Sequence, residues 1–90
     1  MKIVAKPIKA VAIFEYEDRN KPPMPYKFKL KEETGEETTI FVGRFLSIEK
    51  SRLAGEECFI YQCQSVIDGV EMRYELKYII AKCVWQLYKI

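Results

Sequence analysis

Lys27, Lys29 and Lys31 alternate with Tyr26, Phe28 and Leu30, and a strand of period two turns all three ammonium groups to one face. Such a row suits an anionic partner, since each lysine set against a phosphate adds a salt-dependent increment of affinity. It also suits an edge strand, where lysines discourage pairing with other chains, and edge protection is the simpler reading. Lys2, Lys6 and Lys9 could lie near the row. Glu71, Arg73, Glu75 and Lys77 form a second charged row that alternates in sign. That row sums to zero and reads best as solvated cross-strand pairing. The candidate partner-binding residues are therefore Lys27, Lys29, Lys31, Arg73 and Lys77.

No residue pattern asks for catalysis. The chain has no histidine, which removes histidine-activated nucleophiles, histidine-ligated zinc and the commonest general base near neutral pH. Cys58 and Cys63 are separated by an odd number of residues, so one strand would place them on opposite faces, unable to share an ion. All three cysteines read as buried apolar side chains. Glu32, Glu33, Glu36 and Glu37 crowd a turn around Gly35, a solvated tip rather than the cleft that paired catalytic carboxyls need. The glycines form no phosphate-binding array. Tyr61, Tyr74 and Trp85 could line a small pocket, but rings at strand alternation read as core. No catalytic residue, cofactor or metal is expected, and the chain reads as a non-enzyme.

The bulk properties agree. Ninety residues, 49% apolar and 31% charged, make one small globular domain. Six Tyr, five Phe and one Trp suit a thin sheet core. Residues 1–31 carry eight Lys or Arg against three Asp or Glu, residues 32–57 three against seven, and residues 58–90 four against three. A basic first third thus abuts an acidic middle third, which reads as pairing between neighbouring strands before it reads as a binding dipole. No apolar run approaches the ~20 residues of a membrane-spanning helix, Lys6 and Pro7 interrupt any signal-like core, and three cysteines suit reduced thiols. A cytoplasmic location follows as an expectation.

The elements that must position these residues are strands. Ile8 to Tyr16 is the first, followed by a loop from Glu17 to Pro25, long for a hairpin, so that the first and second strands pair loosely or not at all. Tyr26 to Lys31 is the second. Around Thr34-Gly35, a three-residue turn with a glycine bulge would place Ile40 and Val42 on the face of Phe28, and a two-residue turn Phe41 and Phe45; the bulge is favoured. Thr38 to Phe45 is the third strand. Ser47 then caps a short helix over residues 48–53, ended by Gly55, with Ile48 and Leu53 toward the sheet. In the final meander Asp68-Gly69 is a strong hairpin signal, setting Cys63 opposite Tyr74 and Tyr61 opposite Leu76. A turn at Ile80-Ala81 would set Tyr78 opposite Cys83 and Leu76 opposite Trp85. One face collects Phe59, Tyr61, Cys63, Met72, Tyr74, Leu76, Tyr78, Cys83, Trp85 and Leu87; the other collects Gln62, Gln64, Glu71, Arg73, Glu75, Lys77 and Gln86. The expected fold is all-β: a six-stranded antiparallel meander, curled or closed into a small barrel, with one short helix between strands three and four.

Residues 58–90, CFIYQCQSVIDGVEMRYELKYIIAKCVWQLYKI, resemble the carboxy-terminal part of short bacterial proteins of unassigned function. The resemblance implies a bacterial cytoplasmic origin and carries over no activity or site residue. The functional expectation is a non-catalytic β module that binds a macromolecule, protein slightly before nucleic acid because the meander's polar face is nearly neutral. The alternatives are a self-associating homodimer, suggested by the apolar residues on both faces of 38–45, and nucleic-acid binding through the lysine row.

Overall fold

The computed structural model describes residues 1–18 and 21–90, except for the side chain of Leu53. The loop reading of Arg19 and Asn20 and the inward placement of the Leu53 side chain lie outside the described residues. The described chain is all-β, with strands β1 (Ile3–Ile13), β2 (Met24–Lys31), β3 (Glu37–Phe41), β4 (Arg44–Leu53), β5 (Glu56–Ile67), β6 (Val70–Ile79) and β7 (Val84–Lys89). They form one antiparallel sheet in the order β3-β2-β1-β7-β6-β5-β4. Among the described residues no helix is long and apolar enough to cross a membrane.

Seven strands replace the expected six, and the expected helix is a strand. Ala54 and Gly55 both take positive φ, 52° and 80°, the signature of a two-residue hairpin turn whose twist matches its strands. That turn lays β4 along β5 from Leu53↔Glu56 to Arg44↔Gln64. One helical turn would have left most of its backbone groups unpaired, whereas the ladder with β5 pairs the groups along one side of β4 and leaves the other side as a sheet edge. Gly55, read as a helix terminator, is a hairpin residue. Arg44 and Phe45 belong to β4, not to the strand before it.

The turn around Gly35 takes the bulged form. Glu32 N–H donates to Glu36 O, Gly35 has φ 89°, and Phe28 faces Ile40. The Asp68-Gly69 hairpin has the expected register, with Cys63↔Tyr74 and Tyr61↔Leu76. The last turn does not. Ile80 to Cys83 forms a four-residue loop, so Tyr78 faces Trp85 and Leu76 faces Leu87. The slip is an even number of residues, so every ring keeps its face. Cys83 leaves the core, exposed at φ 54°, and Met72 lies half-buried outside the core cluster.

The sheet curls around its inner face. Phe28, Ile40, Tyr61, Cys63, Tyr74, Leu76, Tyr78, Trp85 and Leu87 form the buried core. The two edge strands, β3 and β4, are joined by Val42-Gly43 alone. Ser65 ties that corner down: its hydroxyl donates to Phe41 O, accepts from Gly43 N–H at 3.2 Å and lies 2.6 Å from the Tyr74 hydroxyl.

Candidate partner-binding face

Contrary to the edge-strand reading, β2 is an interior strand, hydrogen-bonded to β1 on one side and β3 on the other. Its lysines therefore protect no edge. The β1–β2 ladder is complete enough to set Lys9 directly opposite Lys29 and Val11 opposite Lys27. On the other side Lys27 faces Phe41, Lys29 faces Thr39 and Lys31 faces Glu37. The outer face of three adjacent strands thus collects Lys9, Lys27, Lys29 and Lys31 against one carboxylate, Glu37. Like charges directly opposite each other destabilise a ladder, and Lys9 and Lys29 are such a pair.

Lys9 reaches across to Glu37, Nζ to Oε2 3.4 Å. Both groups are solvated, so this pair contributes at most about 1 kcal/mol. Among the described residues no carboxylate lies within ion-pair distance of Lys27, Lys29 or Lys31. The Lys27 ammonium lies over the Phe41 ring at 5.6 Å. A shallow groove lined by Lys9, Val11, Lys27 and Lys29 runs between β1 and β2 and continues past Lys31 and Glu37.

Two rings complete this face, and one of them was expected inside. Strict alternation puts Tyr26 beside Phe28, yet Tyr26 is 54% exposed. The cause is Pro25. It lacks the N–H a regular ladder requires, and the register steps from Val11↔Lys27 to Ala12↔Pro25, leaving Tyr26 as the extra residue of a bulge. Pro25 is buried and Tyr26 turns out, its ring edge-to-face with Phe41 at 5.8 Å and 85°. Phe41 is 56% exposed, and Val11 and Ile13 are also wet.

The other predicted residues fall elsewhere. Arg73 and Lys77 lie on β6, with β1 and β7 between them and β2, a separation of about 14 Å across the sheet. Arg73 is exposed, while Lys77 is half-buried with its ammonium 5.2 Å from the centre of the Tyr88 ring. The face around them is less polar than its pattern suggested, because Cys58, Ile60, Glu75 and Ile79 are all buried on it. Lys6 lies beyond a bulge at Ala5, beside Lys31, Glu32 and Glu33. Lys2 pairs with Ile90.

The aromatic cluster leaves no room for a ligand. Trp85 packs on Tyr61 at 5.3 Å and on Tyr78 at 4.7 Å, and the Tyr61 hydroxyl donates to Pro23 O. Burial pushes the Tyr61 hydroxyl far above its ordinary value and the Tyr74 hydroxyl up to about 12. Burial, reinforced by the Glu75 carboxylate, pushes the Cys63 thiol up to about 12. A thiol held that neutral is a poor nucleophile. Sequence reasoning missed Tyr26 and Phe41 as members of the face, and the one local signal for the first was the proline beside it. The chain matches no protein-family model, no curated protein and no solved structure.

Proposed function

We propose that this chain is a non-catalytic β-sheet module that binds an anionic macromolecular partner on the outer face of β1, β2 and β3. The observation that carries the reading is the Lys9–Lys29 cross-strand pair at the centre of that face. A placement that costs stability and protects no edge is accounted for by a partner that neutralises it. The reading moves the interface away from the near-neutral meander face and from Arg73 and Lys77. Three thiols free of disulfides suit a reducing compartment. Self-association is the weaker alternative, because Ile40 is buried within its own protomer and Phe41 is the one apolar residue of β3 that stays wet.

The test is retention on a sulfated polyanion matrix under a rising salt gradient. The wild-type chain binds at low salt, and the variant Lys27→Gln/Lys29→Gln elutes markedly earlier. Wild-type protein that fails to bind at low salt, or a variant that elutes with it, refutes the reading.

A further inference from the structure

We propose that the partner is a single-stranded nucleic acid, with phosphates on Lys9, Lys27 and Lys29 and a base stacked on the Tyr26–Phe41 ring pair; this rests on the binding-face reading above. Charge complementarity selects an anion, since four lysines stand against Glu37. The rings select among anions. Tyr26 and Phe41 meet edge to face and remain more than half exposed at the end of the lysine row, with the Lys27 ammonium over the Phe41 ring. Single-strand binders combine a cationic track with exposed rings on which bases stack. A peptide segment whose charge comes from Asp and Glu alone offers no ring to stack there.

The backbone argues against duplex DNA. Reading its major groove takes a helix or a two-stranded ribbon. Here β2 is flanked on both sides and β1 is itself joined to β7, so the lysine-bearing strands form a broad sheet face rather than a ribbon that inserts. Alternate lysines along β2 are about 6.7 Å apart, a step that the flexible backbone of an extended single strand can follow. The footprint is bounded at one end by the exposed carboxylates of Glu33 and Glu36 beyond Lys31. The strand therefore lies from the rings over Lys27, Lys29 and Lys9 and leaves before the acidic tip.

The experiment is anisotropy titration of labelled oligothymidine, with a duplex of equal length and labelled poly-glutamate as parallel probes, over a range of salt. Three phosphate contacts predict a slope of log affinity against log salt of about −2 for the single strand. Phe41→Leu and Tyr26→Leu keep apolar bulk and remove the ring, and each is expected to weaken single-strand binding by ~5- to 150-fold, with folding checked by circular dichroism. Equal binding of duplex and single strand, or ring variants that bind oligothymidine like wild type, overturns the single-strand assignment and leaves the anionic face standing. Preference for poly-glutamate does the same. No salt-sensitive binding to any of the three probes overturns both readings.

Discussion

Ser65 shows how much one small polar side chain can hold. Its hydroxyl serves Phe41 O, Gly43 N–H and the Tyr74 hydroxyl at the point where the chain passes from one edge of the sheet to the other. Ser65→Ala leaves the buried Tyr74 hydroxyl and two part-buried backbone groups without this partner, and a loss of about 1–3 kcal/mol in urea unfolding is expected. A loss below about 0.5 kcal/mol would mean that the corner is held by something else. Cys63 and Tyr74 make a second residue-scale prediction. Both are acids kept neutral by burial, with folded values near 12 against ordinary values of 9.0 and 10.0. The unfolded chain releases these protons first as pH rises, so the stability they contribute is whole below about 9 and is lost between there and 12. The urea midpoint should hold from neutral pH to about 9 and then fall steeply. An unchanged midpoint at about pH 11 would mean that neither group is buried.

At the scale of elements, β4 is the most instructive. Ala54 sits at φ 52°, a conformation that costs a residue with a Cβ about 1–2 kcal/mol and that Asn tolerates better. Ala54→Asn should therefore stabilise the chain by up to about 1 kcal/mol, read from the same unfolding curves. No gain would argue against the hairpin. This strand was hidden in the sequence because Ala-Gly is a poor turn signal, and because Ser47 and Gly55 sit where helix caps would. The meander was legible for the opposite reason. Asp68-Gly69 is a strong turn, and strict alternation survived even a two-residue slip at the last turn, since period two restores every face. The candidate face was half legible. Its lysine row follows from spacing alone. The Lys9–Lys29 pair depends on a register across a ten-residue-class connection between β1 and β2, which no local pattern specifies. Tyr26 turns outward because of a bulge whose only trace is Pro25.

For the molecule as a whole, β1 is the hinge of the architecture. Its middle pairs with β2 through Lys9, Ala10 and Val11, and its first half pairs with β7. It thereby joins the lysine-bearing strands to the meander and sets two outer faces apart, one basic with exposed rings and one nearly neutral. In the proposed function the first face binds the partner and the second takes no part. That function also requires that the first face trade stability for binding. Lys29→Thr tests both at once, because Thr relieves the repulsion with Lys9, suits a strand and meets Thr39 across the ladder. The decisive measurement is the urea midpoint and the oligothymidine affinity of Lys29→Thr, with Arg73→Gln as the control from the opposite face. The account predicts that Lys29→Thr gains about 0.5–1 kcal/mol of stability while its affinity falls and its salt slope shrinks by about one, and that Arg73→Gln binds like wild type. A Lys29→Thr variant that is less stable and binds undiminished, or an Arg73→Gln variant that loses binding, would contradict it.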